Sequence, residues 1–152
     1  MPVIPPGKSG IFSREQQRTK TLCLALSIKE EFYKIKKACI EVRKNLGNGF
    51  LEKVYENALK IELENNGFHV ESQKEINVNY KDHIVGSYYA DLVVNKKVII
   101  ELKTITQLLP IHKSQLLNYL VVTSIQLGIL INFPNDHKGF EIIRIPDFIS
   151  IK

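Results

Sequence analysis

Two neighbouring apolar runs that carry charged residues constrain the fold of this chain more than any other feature. The first is YYADLVV over 88–94, and the second is KVIIELK over 97–103. Because successive residues of a strand alternate between its faces, Glu101 and Lys103 point to the same side. Charged groups on an apolar strand are costly to bury without partners. The pattern therefore predicts that Asp91, Glu101 and Lys103 converge on one spot.

The register of the hairpin between these runs decides whether Asp91 and Glu101 share a face. A three-residue turn over 95–97 pairs Val94 with Val98. That register places Asp91 opposite Glu101, whereas a two-residue turn sends the two carboxylates to opposite faces. In the first register their oxygens suit a hard cation such as Mg²⁺, which could polarise a phosphate or activate a water. The structural alternative is a surface hairpin with a cross-strand salt bridge.

The composition is that of one globular domain with its own core. The chain has 152 residues, of which 44% are hydrophobic and 24% charged, and no apolar run approaches the length of a membrane span. The formal net charge of +5 is compatible with nucleic-acid binding but does not require it. Cys23 and Cys39 lack metal-type spacing. Without a convincing secretion signal, we expect reduced thiols in a cytoplasmic protein that does not enter the membrane.

Periodicity divides the chain into an N-terminal tail and one α/β domain. We expect a poorly ordered basic tail over 1–26, since its first part is rich in Pro and Gly, and a single domain over 27–152. The expected elements are helices over 27–46 and 50–66, a strand over 68–80 broken near Gln73 or Lys74, the two strands above, a helix over 111–125, and strands over 127–133 and 140–145. The order ααβββαββ predicts an α/β sandwich with a mixed sheet flanked by helices.

Polar residues on two of the predicted helices are further candidates. Glu52 begins the second helix, where it could equally serve the helix dipole or bond a free amide. Tyr55 lies one turn later and by itself is typical of a core residue. His112, Gln115 and Tyr119 form one hydrogen-bonding stripe on the third helix, although His112 alone is more typical of a helix start. Such a stripe either faces solvent or suits a cleft that contacts phosphates or orders water.

Taken together, these motifs resemble the GxxExxY protein family, which is placed within the PD-(D/E)XK nuclease-like superfamily. The motifs are Gly49-x-x-Glu52-x-x-Tyr55, Tyr-Ala-Asp91, Glu101-Leu102-Lys103, His112-x-x-Gln115 and Gly128-Ile-Leu-Ile-Asn132-Phe133. The resemblance covers about residues 27 to 145. It implies a mixed sheet of about four strands flanked by helices, the restriction endonuclease-like sandwich, with a Mg²⁺-dependent nuclease site. The Pro that often precedes the motif Asp is replaced by Ala90.

For the metal site, the resemblance implies that Asp91 and Glu101 bind Mg²⁺, for which Mn²⁺ could substitute. The Leu102 backbone carbonyl and waters would complete the shell. Glu52 would be an outer ligand or the ligand of a second metal. Lys103 would orient the attacking water or stabilise the charge that develops on the phosphate.

For the substrate, the resemblance implies that Gln115 and Tyr119 position a nucleic-acid backbone, with His112 and Tyr55 as further substrate-binding residues. The expected partner is nucleic acid, DNA ahead of RNA, and a homodimer or a protein partner stays open. One alternative is a non-catalytic module on the same fold that binds nucleic acid or protein. Others are an assembly protein with the strand over 127–133 as its interface, and a metallo-hydrolase that acts on a small phosphorylated substrate.

Overall fold

The structure is a computed structural model, and it describes residues 13–136 and 139–145. Its elements are α1 (Arg14–Leu46), α2 (Glu52–Asn65), β1 (Val70–Tyr80), β2 (His83–Val94), β3 (Val98–Lys103), α3 (Pro110–Thr123), β4 (Leu127–Asn132) and β5 (Glu141–Ile145). The strands form one five-stranded sheet in the order β1-β2-β3-β4-β5. Only β3 and β4 are parallel, and the other neighbours are antiparallel. The predicted order ααβββαββ and the mixed sheet are confirmed.

Helices cover the sheet on both faces. On one face α1 and α2 pack against the sheet, with Ile35 and Leu59 among the buried residues of that layer. On the other face α3 packs through Leu116 and Leu120. Because β3 and β4 are covered on both sides, they are buried at almost every position rather than at alternate ones. The idea that the strand over 127–133 forms an interface is wrong, since β4 lies buried between β3 and β5.

Helix α1 begins well before the predicted start at residue 27. Ser13 and Gln16 form a reciprocal capping box, in which Ser13 N donates to Gln16 Oε1 at 2.9 Å and Gln16 N donates to Ser13 Oγ at 3.2 Å. No Pro or Gly interrupts residues 14–46, so nothing stops the helix. Of the tail predicted over 1–26, residues 1–12 lie outside the described part of the chain. Residues 14–26 are helical, and their side chains are mostly exposed. Within the described ranges, no helix combines the length and apolarity that crossing a bilayer would take.

The hairpin between β2 and β3 has the register that the candidate site requires. Val94 pairs with Val98 around a three-residue turn. Two residues of that turn, Asn95 and Lys96, have positive φ, a conformation that hairpin turns commonly use. The two-residue turn is therefore excluded, and the ladder continues in the direction that brings Asp91 and Glu101 together.

Strand β2 reverses its alternation of faces at Asp91. Leu92 packs in the layer below α1 and α2, whereas Ala90, two residues away, packs below α3. Strict alternation would place both on one face. The pair between them, Asp91 opposite Gln73 of β1, is missing from the ladder, and Gln73 has a φ of 52°. The break predicted near Gln73 or Lys74 is wrong, since β1 runs continuously from Val70 to Tyr80, but the ladder is distorted at Gln73, directly beside the candidate site.

Helix α3 makes a very close approach to the sheet at Gly128 of β4. A Cβ atom at this position would lie 2.9 Å from Leu116 Cγ and 3.1 Å from Leu120 Cδ1. Gly128 pairs with Ile99 of β3. The absence of a side chain lets α3 lie deep on the sheet, so that Tyr119 packs in the same buried layer as Ile99.

Candidate functional site

Asp91 and Glu101 each accept a backbone hydrogen bond from the other strand where the β2–β3 ladder ends. Asp91 N donates to Glu101 Oε1 at 3.2 Å, and Leu102 N donates to Asp91 Oδ2 at 2.8 Å. Side-chain oxygens thus take the place of backbone acceptors beyond the last ladder pair, Leu92 with Ile100. Glu101 is only 7% exposed, and Asp91 is half-buried. The fold therefore holds two carboxyl groups side by side and largely away from water.

Burial raises the pKa of both carboxyls. The pKa of Glu101 rises to about 8, first because it is buried and second because Asp91 is negatively charged. The pKa of Asp91 is also raised, mainly by burial, although the hydrogen bond from Leu102 N opposes the rise. Adjacent acids with raised pKa values are typical of functional sites, and a bound cation would favour their ionised forms.

Glu52 and Lys103 complete the charged site. Glu52 is the first residue of α2 and is half-buried, and burial raises its pKa while the positive charge of Lys103 opposes that rise. The charge of Lys103 also favours the ionised forms of Asp91 and Glu101. No ion pair between described residues includes Lys103. Its ammonium group thus acts on three carboxyls without being tied to any one of them.

Two residues of the site, Glu56 and Gln73, were missed by the sequence reasoning. Glu56 is 2% exposed and accepts hydrogen bonds from Lys53, Ser72 and Gln73. Gln73 Nε2 also donates to Asp91 Oδ1 at 3.3 Å. A signal for Glu56 was present, because it follows Glu52 by four residues and so lies on the same side of α2.

The polar stripe on α3 is partly at the site. Gln115 Nε2 donates to Tyr119 Oη at 2.9 Å. The pKa of Tyr119 is raised first by burial and second by the negative charge of Glu101. The Tyr119 hydroxyl is therefore close enough to Glu101 for the two groups to interact electrostatically. His112, in contrast, accepts a hydrogen bond from Leu109 N at 2.9 Å through Nδ1 and caps its own helix.

A groove runs beside this stripe. It has a volume of about 570 Å³ and is lined by residues of α3 and of the β1–β2 hairpin, including Val78, Tyr88, Ile111, Gln115 and Tyr119. The rings of Tyr88 and Tyr119 lie 5.5 Å apart. The groove therefore joins an aromatic surface to the polar groups nearest the carboxylates.

Tyr55 lies in the core behind the site. It is fully buried, its ring stacks on Phe133 at a centroid distance of 4.5 Å, and its hydroxyl donates to the Gly47 carbonyl at 2.8 Å. The substrate contact expected from the sequence finds no support in this position, since no face of Tyr55 is exposed. The aromatic ring instead anchors the loop that leads into α2.

Asn132 organises the loop that follows Lys103. It is completely buried, its Oδ1 accepts from Ile105 N at 3.0 Å, and its Nδ2 donates to the Ile105 carbonyl at 2.8 Å. Nδ2 also donates to Glu141 at 3.1 Å. These bonds connect the end of β4 to the loop between β3 and α3, and so fix the loop that directly follows Lys103.

The donor groups fit a divalent cation that keeps much of its water. Among residues 13–136 and 139–145, no group of three His, Cys, Asp or Glu side chains stands in a metal-holding arrangement. Asp91 and Glu101 form a pair, and a backbone oxygen can join them. The Lys103 carbonyl accepts from Phe133 N at 2.8 Å on the β4 side, so the Leu102 carbonyl before it points toward β2. Mg²⁺ is commonly held by one or two carboxylates with waters, and this donor set suits it.

Comparison with known proteins identifies one superfamily for most of this chain. A family model described as the PD-(D/E)XK nuclease superfamily matches residues 29–145. A solved structure titled "Crystal structure of SSO0001" is 22% identical to this chain, with a TM-score of 0.48. The match covers 80% of this chain, and this chain spans 60% of that one. No curated protein gives a significant match.

Nucleases of this superfamily generally use divalent metal ions and act on nucleic acid. The matched region begins in α1 and ends with β5, and it includes each of the residues that form the charged site. This chain belongs to the PD-(D/E)XK nuclease superfamily.

Proposed function

We propose that this protein is a nuclease that hydrolyses phosphodiester bonds with Mg²⁺, for which Mn²⁺ can substitute. One observation carries the proposal: two adjacent carboxyls with raised pKa values, Glu101 buried and Asp91 half-buried, lie at the point where the β2–β3 ladder stops. Membership of the superfamily supports nuclease activity in general and nucleic acid as the substrate. The cytoplasm is the proposed location, because both Cys23 and Cys39 are free thiols.

Asp91, Glu101 and the Leu102 carbonyl are the proposed holders of the ion. When bound, the ion would polarise the phosphate and lower the pKa of a coordinated water. Glu52, half-buried at the start of α2, is the proposed outer ligand or the ligand of a second ion.

Lys103 is the proposed catalytic cation. Its ammonium influences Glu52, Asp91 and Glu101 without forming an ion pair with any described residue. A positive charge held there can orient a water or stabilise negative charge as it develops on the phosphate. A lysine locked in a salt bridge would be less able to do either.

The groove beside α3 is the proposed path of the nucleic acid, with DNA as the first candidate. Gln115 and Tyr119 offer polar groups to the sugar-phosphate backbone, which would not depend on base sequence. Tyr88, 47% exposed, presents a ring on which a base can stack.

A panel of labelled single-stranded DNA, duplex DNA and RNA tests the proposal. We expect cleavage of at least one substrate with Mg²⁺ or Mn²⁺ and none in EDTA, and Asp91→Asn should lose it. Asp82→Asn is the matched control, because Asp82 lies exposed in the β1–β2 turn and Asn tolerates its positive φ. If folded wild-type protein cleaves no substrate with either ion, the non-catalytic module becomes the better description.

A further inference from the structure

Glu56 is a buried carboxylate whose partners are all hydrogen-bond donors. Its Oε1 accepts from Lys53 Nζ at 2.7 Å and from Ser72 Oγ at 2.8 Å. Gln73 Nε2 lies 3.1 Å from each of its two oxygens. Only 3% of the side chain is exposed. An ionised carboxylate can only accept, and charge-assisted bonds of this kind are the strong ones.

Gln73 connects this buried anion to the candidate metal site. The same Nε2 that donates to Glu56 donates to Asp91 Oδ1 at 3.3 Å, while Asp91 Oδ2 accepts from Leu102 N at 2.8 Å. Both side-chain oxygens of Asp91 therefore accept a hydrogen bond. Because the oxygens of Glu56 accept from Lys53 and Ser72 as well, the Gln73 amide bridges to Asp91 with its nitrogen rather than its oxygen facing the site.

The backbone of Gln73 adopts an unfavourable conformation to make this bridge. Its φ of 52° lies in the left-handed region, which disfavours residues that carry a Cβ. Gln73 is also the residue at which β1 drops out of its ladder, opposite the point where β2 reverses its faces. Backbone strain of this kind clusters at functional sites, where a side chain must occupy a particular place.

We propose that Glu56 and Gln73 are positioning residues that fix the Asp91 carboxylate for metal binding, with Glu56 acting through Gln73. The inference rests on the proposed role of Asp91 as a metal ligand and adds two residues to that site. Removing a group that hydrogen-bonds to a metal ligand typically weakens metal affinity by about 10-fold to 100-fold. We expect an effect of that size here.

The substitution Gln73→Gly separates positioning from a purely structural role. Glycine accepts positive φ readily, so the change relieves the backbone while it removes the bridging amide. The relieved backbone should offset the lost hydrogen bonds to Glu56, so the melting temperature of the metal-free variant should change little, while the Kd for Mn²⁺ in calorimetry should rise about 10-fold or more. Lys81→Gly is the matched control, since Lys81 also has positive φ, 46°, but lies in the distant hairpin turn. Equal Mn²⁺ affinity in Gln73→Gly and wild type would overturn the inference.

A double-mutant cycle tests whether Glu56 acts through Gln73. Glu56→Gln removes the charge with little change in volume and should weaken Mn²⁺ binding when Gln73 is present. In the Gln73→Gly background the same substitution should add no further weakening, because the intermediary is gone. Full additivity would overturn the path through Gln73. If Glu56→Gln does not fold, the Gln73→Gly measurement decides alone, since Gln73 is exposed.

Mn²⁺ binding by wild type and by Asp91→Asn separates this inference from the proposed function. If wild type binds no Mn²⁺, or if Asp91→Asn binds it as well as wild type, the proposed metal site is wrong and the inference falls with it. If wild type binds, Asp91→Asn does not, and Gln73→Gly binds normally, the metal site stands and only the positioning role is overturned.

Discussion

Without metal, Glu101 should make the folded protein less stable as the pH rises through neutrality. Its pKa rises from 4.5 to about 8 in the fold, mainly because it is buried. Between these values the folded protein holds a proton that the unfolded chain has released, so the free energy of unfolding falls as the pH rises and then levels off. An interval of about 3.5 pH units, at about 1.4 kcal/mol for each, sets an upper limit of about 5 kcal/mol.

The substitution Glu101→Gln isolates this contribution. Gln has nearly the shape of the protonated acid and does not titrate. The free energy of unfolding of the variant should therefore not fall with pH in this way. We expect the two proteins to be about equally stable near pH 5, and the variant to be more stable by about 2 to 5 kcal/mol near pH 9. Urea unfolding in EDTA at several pH values measures the free energy of unfolding of both proteins. The difference between the two values removes the contribution of the other titrating groups. A difference that does not vary with pH would refute the reasoning.

A divalent ion should remove most of the same pH dependence. Metal ligands must be deprotonated, so the ion competes with the proton on Glu101 and binding releases it. In Mg²⁺ the fall in wild-type stability toward alkaline pH should shrink, and Glu101→Gln should show no such response. Proton release can be followed by calorimetry in buffers of different ionisation enthalpy.

Three other predictions concern single residues. Mn²⁺ at 100 times its Kd should stabilise wild type by about 2.7 kcal/mol, and thermal shift should show this gain lost in Asp91→Asn but kept in Asp82→Asn; equal shifts in both would place the ion elsewhere. Lys103→Met should abolish cleavage while calorimetry still shows Mn²⁺ binding, and wild-type turnover would remove Lys103 from the mechanism. Tyr55→Phe should lower the free energy of unfolding by about 1 to 2 kcal/mol, because it removes a buried hydrogen bond. Turnover per folded molecule should not change in Tyr55→Phe, and a selective loss would return Tyr55 to the substrate site.

The hairpin that carries the site could be predicted from the sequence because alternation and turn length constrain each other. A slip of one residue between β2 and β3 would move every side chain to the wrong face, so the register that buries Val94 and Val98 together is strongly favoured. The same reasoning predicted the element order, whereas the break predicted near Gln73 is only a distortion of a continuous strand. Short-range patterns suffice for these features because each depends on neighbours in the chain.

The burial of Glu56 could not be predicted in this way, although its four-residue spacing from Glu52 indicates the side of α2 on which it lies. A glutamate between apolar positions of a helix is normally a surface residue, and only contacts from β1 show that this one is buried. Tyr55 shows the converse, because a motif suggested function where packing against Phe133 accounts for the residue. The predicted start of α1 at residue 27 is too late, because no Pro or Gly lies between Gly10 and the end of the helix. The capping box at Ser13 is a local signal that could have corrected it.

Gly128 has a consequence for the width of the cleft, although it carries no functional group. The depth at which α3 rests on β4 sets the separation between the helix that bears Gln115 and Tyr119 and the strand that bears Glu101. An added methyl group would meet Leu116 and Leu120 at about 3 Å, so these side chains or the whole helix would have to shift. The width of the groove that we propose for nucleic acid therefore depends on the small size of Gly128, a residue buried beneath α3 rather than one that lines the groove.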